Sequence, residues 1–244
     1  MPNKPICIDI YQGDDVQDTP VPLGGFQRVK AAGIFACIHK ATEGTSFFDH
    51  RYSARRKVWM SGGGIPVMDI DGTPLSLNPK WGAYHFFHGS DSRGEANFFL
   101  KTADLEAGDE AFIDWEQVGA SGFAPNAVAA DEFCSEVEQK LGRSCSVYGG
   151  NVPREKLVGV SSALFDRMAA RKLWFCAYVK IEAAELPGPW KKKGDWLRQD
   201  DGDRYGPGPH TIPGMNGFCD NSTVVTPMTV KKLYAEWGGG QLAA

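Results

Sequence analysis

Short apolar runs alternate along the chain with longer segments in which apolar residues recur at helical spacing. Runs of 5–7 residues bounded by turn-forming residues are typical of buried strands. We predict eight such strands, at residues 6–10, 34–40, 81–87, 111–116, 145–150, 173–179, 195–199 and 216–220. Helices are predicted between the first six strands, at residues 25–33, 49–64, 92–108, 125–142 and 153–172.

The alternation of strands and helices indicates the fold class. βα units place strands side by side in a parallel sheet, and eight strands in 244 residues favour a closed barrel over an open sheet. After residue 180 no helix is predicted between strands. We therefore predict an α/β fold with one domain, 1–244, containing a single TIM-like (β/α)5(β)3 barrel at about 6–222 and a C-terminal helix at 227–237. Residues 62–80 are expected to form a long loop or a β-hairpin.

Composition and charge exclude several classes of protein. The chain is 42% hydrophobic and 23% charged, as in globular proteins, and no segment has the ~18 consecutive apolar residues of a membrane span. The net charge of −4 argues against a nucleic-acid binder, and the basic run 191–193 is better explained as a solvated loop than as a polyanion site. The start of the chain has no apolar stretch of signal-peptide length. The six cysteines form no CxxC pair, which favours free buried thiols over a disulfide framework.

Polar and aromatic side chains collect where the predicted strands end. In "FIDWEQ", Asp114 and Glu116 lie two residues apart in one strand, so both face the same side. In a parallel α/β barrel all C-terminal strand ends open on one face, where catalytic groups collect. Acids among aromatic rings are typical of a sugar-binding cleft. The residues that these strand ends bring to that face are Asp9, Tyr11, Lys40, Glu43, Tyr84, His85, Asp114, Glu116, Tyr148, Trp174, Tyr178, Gln199 and Asp220.

Each of these residues also has a purely structural explanation. Asp9 and Asp220 are both of a type that caps turns, and His85 lies between large apolar residues like a core histidine. Glu43 is placed either to cap a turn or to pair with Lys40. The pair of acids in "DWE" is harder to explain structurally, because two carboxylates on one face repel and raise each other's pKa.

The motifs resemble glycoside hydrolase family 25, the Chalaropsis-type lysozymes or N-acetylmuramidases. The resemblance rests on "DIYQG" (9–13), "KATEG" (40–44), "GAYHFF" (82–87), "DWE" (114–116), "LWFCAY" (173–178) and "GFCDNS" (217–222), found in this order over nearly the whole chain. It implies a flattened barrel of five βα units and three further strands. It also implies cleavage of the β-1,4 bond between N-acetylmuramic acid and N-acetylglucosamine in peptidoglycan.

Residue roles follow from the resemblance only. Glu116 is similar to the general acid, Asp114 to its partner, and Asp9 and Asp220 to two further carboxylates of the cleft floor. Tyr84, Tyr148 and Trp174 are similar to sugar-contacting aromatics at the rim, and substrate contacts are also expected from Tyr11, Glu43, Tyr178 and Gln199. No metal or cofactor is implied. Two mechanisms stay open, one in which the substrate's acetamido group is the nucleophile with retention, and one in which a carboxylate activates water with inversion.

Three departures from the family pattern are visible. The insertion 62–80 interrupts the link before the third strand and is a candidate for an added wall of the cleft. Cys176 stands where the family has a smaller residue. The segment 200–215 replaces a simpler hairpin, so the seventh strand around Gln199 can be aligned in more than one way.

The functional hypothesis is an active, monomeric peptidoglycan hydrolase without nucleic-acid or membrane partners. A phage endolysin, made in the host cytoplasm and released through a holin to act on the wall, fits best, and a secreted effector fits also. One alternative is a non-catalytic glycan-binding barrel, which would lack an acid such as Glu116. Another is a metal-dependent phosphodiesterase, but the five histidines form no HxH or HExxH pattern.

Overall fold

The computed structural model describes residues 4–17, 24–178, 185–202 and 205–239. Its strands are β1 (Cys7–Ile10), β2 (Asp15–Val16), β3 (Ala36–Glu43), β4 (Phe47–Phe48), β5 (Ile65–Met68), β6 (Pro74–Leu77), β7 (Lys80–Phe86), β8 (Glu110–Asp114), β9 (Ser146–Gly149), β10 (Leu173–Cys176), β11 (Leu197–Asp201), β12 (Met215–Asn216) and β13 (Asp220–Thr223). Its α-helices are α1 (Gly25–Ala31), α2 (Tyr52–Trp59), α3 (Ser92–Ala103), α4 (Ala127–Leu141), α5 (Asn151–Lys156), α6 (Ser162–Ala170) and α7 (Val230–Glu236).

Eight of these strands close into a barrel. β1 pairs in parallel with β3, and the parallel order continues through β7, β8, β9, β10 and β11. β13 completes the ring, because it pairs antiparallel with both β11 and β1. Helices follow each of the first five barrel strands, and between the last three strands the described residues contain no α-helix. The predicted (β/α)5(β)3 barrel is therefore confirmed.

Alternate residues of each barrel strand point into the barrel. In β8, Phe112 packs inside, 5.3 Å between ring centroids from Trp174, whereas Ile113 joins the outer core beneath the helices. Gly82 makes room for this ring, because a Cβ atom on Gly82 would lie only 2.8 Å from it. The barrel interior is therefore filled with side chains, as in other small barrels, and the last inward positions are left to form the site.

Four of the seven α-helices that the structure describes, α3, α4, α6 and α7, begin at a residue whose side chain caps a free amide group. Asp91 caps α3 by accepting from Gly94 N at 3.0 Å, and Asn126 caps α4 by accepting from Ala129 N at 2.9 Å. The helix predicted at 153–172 is two helices, because Gly159 takes a positive φ of 73° and Ser161 then caps α6. The helix predicted at 49–64 is shorter and spans Tyr52–Trp59, and the side chain of Asp49 before it accepts from Gln12 N and Arg51 N.

The insertion 62–80 forms the β-hairpin β5–β6, one of the two forms expected for it. It does not add a wall to the cleft, because it leads into the amino-terminal end of β7 and lies at the opposite end of the barrel. Ile65 and Val67 pack there with Leu233 of α7. Asp69 fixes the start of α7, since its two carboxylate oxygens accept from the amides of Val230 (2.9 Å) and Lys231 (3.3 Å).

The strand predicted at 216–220 is wrong in position, because the barrel strand β13 begins at Asp220 rather than ending there. Part of the predicted strand 173–179 lies outside the described residues at position 179. All six cysteines are free thiols, five of them buried, as predicted. Across the described parts of the chain, none of the helices has the length and apolar content that crossing a bilayer requires.

Candidate active site

A cleft of about 270 Å³ opens at the end of the barrel where the parallel strands finish. It receives side chains from seven barrel strands or the residues directly after them, which is why residues distant in sequence meet there. Its lining consists of Asp9, Tyr11, Lys40, Tyr84, Phe86, Asp114, Glu116, Tyr148, Trp174, Tyr178 and Asp220. Nine of the eleven predicted site residues are among them, and the other two, Glu43 and Gln199, are not.

Four carboxyl groups converge in this cleft. Asp9 and Asp220 are directly opposite each other on the antiparallel pair β1 and β13. Asp114 is the last residue of β8, and Glu116 follows two residues later, just beyond the strand end. Trp115 between them points away and is fully buried, and its indole Nε1 donates to Pro125 O at 2.9 Å. This anchor holds the chain so that both acids face the cleft.

Burial and mutual repulsion raise the pKa values of three of these acids. Burial raises the pKa of Asp9 well above its usual range, and the charge of Asp220 adds to the effect. Burial and then the charge of Glu116 raise the pKa of Asp114 well above its usual range. The pKa of Glu116 is raised by burial and then by Asp220. Since like charges this close cannot all ionise, the cluster retains protons at pH values where isolated carboxyl groups lose them.

Asp114 has one oxygen ready for a ligand. Only 7% of the residue is exposed, and its Oδ1 is buried without a hydrogen-bonding partner among the described residues. A buried acceptor of this kind is costly unless something donates to it. Glu116, in contrast, is half-buried and reaches the opening. The arrangement supplies one unpaired acceptor in the floor and one acid with a raised pKa nearer the solvent.

Gln199 lies behind the cleft and does not line it, although the sequence predicted that it contacts the substrate directly. The residue is 1% exposed. Its Nε2 donates to Asp9 Oδ2 at 3.2 Å, and its Oε1 accepts from the hydroxyl of Tyr148 at 2.5 Å and of Tyr178 at 3.5 Å. Gln199 therefore connects one acid of the floor to two aromatic side chains of the wall.

Glu43 also lies outside the lining. Of the two structural roles that the sequence allowed, a turn cap or a pair with Lys40, the structure shows the pair. Its carboxylate accepts from Lys40 Nζ and lies 3.2 Å from His88 Nε2. Lys40 itself lines the cleft, with its ammonium 4.9 Å from the ring centroid of Phe86. It is the one basic side chain among the lining residues that the structure describes.

The sequence placed Lys40 at the catalytic face without giving it a role in the site, and it did not single out Phe86. Strand alternation carries the signal for Phe86, because it stands two residues after Tyr84 in β7 and faces the same side. Lys40 ends the inward row of β3 in the same way, but a register shift between Lys40 and Thr42 hides this from a simple count.

The aromatic side chains occupy two depths. Tyr148 and Trp174, expected at the rim, are instead in the floor, with exposures of 7% and 2% and ring centroids 4.2 Å apart. The rim is formed by Tyr11 and Tyr178, which are 48% and 39% exposed. A flat ring exposed at a rim can stack on a sugar, whereas a buried ring shapes the floor.

His85 has the structural role that its apolar neighbours suggested. It is fully buried behind the site, where Nδ1 lies 2.7 Å from Thr42 Oγ1 and Nε2 lies 3.0 Å from a carboxylate oxygen of Glu95. Among the residues that the structure describes, no three histidine, cysteine or acidic side chains are grouped as a metal site.

Comparison with known proteins identifies the family. The sequence profile described as "Glycosyl hydrolases family 25" matches residues 76–202. The chain belongs to glycosyl hydrolase family 25. The matched region includes Asp114 and Glu116, while Asp9 and Asp220 lie on either side of it. The family resemblance inferred from the motifs is confirmed, and the protein is a glycoside hydrolase.

Solved structures share the fold of this family 25 protein. The muramidase from Acremonium alcalophilum is 20% identical with a TM-score of 0.65, covering 93% of this chain and 96% of the other. A bacterial lysozyme from Streptomyces coelicolor is 16% identical with a TM-score of 0.65, covering 95% of both chains. The CTP1L endolysin is 20% identical with a TM-score of 0.58, covering 94% of this chain and 69% of the other. No curated protein sequence matches.

Proposed function

We propose that this family 25 hydrolase is an N-acetylmuramidase, which cleaves the β-1,4 bond between N-acetylmuramic acid and N-acetylglucosamine in peptidoglycan. The observation that carries the proposal is the meeting of four carboxyl groups, one of them half-buried with a raised pKa, in a cleft rimmed by exposed tyrosines. Titratable groups with pKa values pushed upward by their surroundings are typical of general acids in glycosidases.

Glu116 is the general acid in this proposal. Its raised pKa keeps the proton on the carboxyl group until the glycosidic oxygen approaches. The proton passes to that oxygen as the bond from C1 of the muramic acid ring breaks, and water supplies the oxygen of the new reducing end and the proton that returns to Glu116. The leaving sugar keeps its own oxygen as a hydroxyl group, so the reaction is a hydrolysis.

The other acids act on the charge that develops at C1 and on the substrate's polar groups. Asp114 offers its unpaired Oδ1 to a donor such as the N–H of an acetamido group. Asp9 and Asp220 supply negative potential beneath the sugar ring, and Gln199 fixes the position of Asp9. Tyr11 and Tyr178 stack on sugars at the rim.

The proposed setting is the bacterial cell wall, with the protein acting as a monomer after release as a phage endolysin. The fold shared with the CTP1L endolysin supports this setting. Sedimentation equilibrium of the purified chain tests the oligomeric state, and a dimer at micromolar concentration would contradict it.

The test of the activity is digestion of purified peptidoglycan followed by borohydride reduction and mass spectrometry of the products. We expect muramitol ends from the wild type and a fall of about 10²–10⁴-fold in rate for Glu116→Gln, the range of general acid catalysis. Glu155→Gln, at an exposed helical position of α5, is the matched control and keeps full activity. Glucosaminitol ends, or equal rates for wild type and Glu116→Gln, would overturn the proposal.

A further inference from the structure

A basic surface lies at the opposite end of the barrel from the cleft. It surrounds the amino-terminal ends of β10 and β11 and includes the start of α7. A cavity of about 390 Å³ opens there, lined in part by Lys172, Lys193, Trp196 and Lys232. We call this surface the lysine face and define it by Lys172, Lys191, Lys192, Lys193, Lys231 and Lys232. It includes the run 191–193, for which the sequence alone favoured a solvated loop over a polyanion site.

The ammonium groups around this cavity influence one another. Burial lowers the pKa of Lys193, and the charges of Lys172 and Lys232 act in the same direction, while Glu236 opposes them. Lys193 donates to the last carbonyls of α6, at 3.1 Å from Ala170 O. The fold has therefore placed several positive charges close together instead of separating them.

Two of the neighbouring acids pair with other cations, whereas Glu236 also lines the cavity and Glu185 lies 4.0 Å from Lys191. Glu110 accepts from Lys172 at 2.8 Å, and Asp195 accepts from Arg198 at 2.6 Å. Among the described residues, Lys192 and Lys232 have no acid within ion-pair distance, and both side chains are exposed. The positive charge of this face is therefore available to a ligand.

Trp196 adds a second kind of unused donor. The residue is 4% exposed, and its indole Nε1 is buried without a hydrogen-bonding partner among the described residues. Buried polar groups usually have partners, and an indole N–H can donate only. Trp196 lines the cavity, which places this donor beside it.

We propose that the lysine face binds an anionic wall polymer, a linear chain of phosphodiesters lying beside the peptidoglycan. The identity of this partner rests on the proposed function, whereas the positive face does not. Phosphate oxygens accept hydrogen bonds from ammonium groups and from an indole N–H. The chain has a net charge of −4 and an acidic cleft, so a polyanion is repelled there and attracted here.

Both ligands can bind at once, because the two surfaces are at opposite ends of the strands. The longest barrel strand, β3, has eight residues, which corresponds to roughly 26 Å at ~3.3 Å per residue. A bound polyphosphodiester therefore leaves the cleft open to glycan and holds the hydrolase at the wall.

The same surface is poorly suited to a membrane. A helix that binds a bilayer surface must insert apolar side chains, but Val230 and Leu233 of α7 are buried in the core and Met228 is 8% exposed. A wall polymer is favoured over nucleic acid because it lies beside the proposed substrate, and binding of DNA is one outcome of the test.

The test is cosedimentation with purified bacterial walls that retain their phosphodiester polymers and with the same walls after removal of these polymers by hydrofluoric acid. The variant Lys191→Gln/Lys192→Gln/Lys232→Gln removes three charges from the lysine face and spares Lys172 and Lys193, which make structural contacts. The control Lys57→Gln/Lys101→Gln/Lys156→Gln removes three exposed charges elsewhere.

We expect wild type and control to bind intact walls with equal affinity, and the lysine-face variant to bind about tenfold or more weakly at physiological salt. Polymer removal should weaken wild-type binding to the level of the variant. All three proteins should hydrolyse the stripped peptidoglycan at the same rate, so failure of the muramidase proposal would show in hydrolysis and failure of this one in binding.

Three results would overturn the proposal. The first is equal binding of the two triple variants to intact walls, and the second is wild-type binding that polymer removal does not change. The third is tighter wild-type binding to anionic phospholipid vesicles or to DNA than to soluble polyphosphate of equal charge concentration. Loss of the salt dependence in the lysine-face variant alone would support it, since each phosphate contact contributes about one to the slope of log K against log salt.

Discussion

Replacement of Asp220 by asparagine should shift the pH at which the enzyme loses activity. After burial, the charge of Asp220 is the cause that raises the pKa of Glu116. Without this charge, Glu116 ionises more easily and its pKa falls. If Glu116 works in its protonated form, the alkaline limb of the pH profile must move to lower pH in Asp220→Asn.

The size of the shift follows from Coulomb's law. Two unit charges ~8 Å apart, a separation suited to two residues of one small cleft, interact by roughly 2 kcal/mol at an effective dielectric constant of ~20. That energy corresponds to about 1.5 pKa units. Because Glu116 is only half-buried, solvent screening reduces the effect. We expect a shift of about one pH unit.

The assay is kcat/KM for release of soluble fragments from labelled peptidoglycan, measured from about pH 4 to pH 9. The position of the limb, not its height, tests the reasoning, because loss of Asp220 also lowers the rate. Asp200→Asn is the control, since burial raises the pKa of Asp200 to about 6 although Asp200 does not line the cleft. An alkaline limb that stays in place or moves to higher pH in Asp220→Asn would refute the coupling between Asp220 and Glu116. A limb that moves in Asp200→Asn would show that the shift is not specific to Asp220.

Two further predictions concern stability. Asp69→Ala should lower the free energy of unfolding by about 1–2 kcal/mol in urea titrations, because two amides of α7 lose their cap. The control Asp71→Ala, at an exposed turn position, should lower it by less than half as much. Equal losses in the two variants would contradict the capping role of Asp69. Burial lowers the pKa of His39 from 6.5 to about 4, so the unfolded chain binds a proton first and stability falls as the pH drops through this range. His39 should therefore contribute a loss of about 2 kcal/mol between pH 7 and pH 5. His39→Gln should lack that part of the loss and exposed His50→Gln should retain it, and identical pH dependence in both variants would show that His39 is not the group responsible.

Hydrophobic pattern predicted the barrel well where the strands are apolar. Seven predicted barrel strands overlap the observed ones, most of them at apolar runs, although β11 ("LRQDD") has a single apolar residue. The eighth was misplaced because β13 is "DNST", with no apolar side chain. Its buried polar groups are satisfied individually, as when Ser222 Oγ accepts from Trp174 Nε1 at 3.0 Å and Asn221 Nδ2 donates to Pro209 O at 3.0 Å. Such partners come from distant parts of the chain, so hydrophobicity in a window cannot reveal them.

The sequence predicted which residues lie at the candidate site better than how deeply each of them is buried there. Alternation along strands indicates which side chains face the barrel axis, and this brought together the four acids. Alternation says nothing about how far a side chain reaches, so Gln199 and Trp174 were expected to contact substrate although both are buried beneath the surface. Depth depends on the neighbouring strands, whose register is a property of the closed barrel.

The reversed direction of the last strand has a chemical consequence. A parallel strand brings its final residues to the cleft, but β13 is antiparallel and brings its first residue, Asp220, directly opposite Asp9. That pairing is what adds the charge of Asp220 to the burial that raises the pKa of Asp9. A register slip of one residue in β13 would turn Asp220 out of the barrel and bring the buried Asn221 to the inner face, because side chains alternate with a period of two. The last strand therefore raises the pKa of Asp9 through Asp220 as well as closing the sheet.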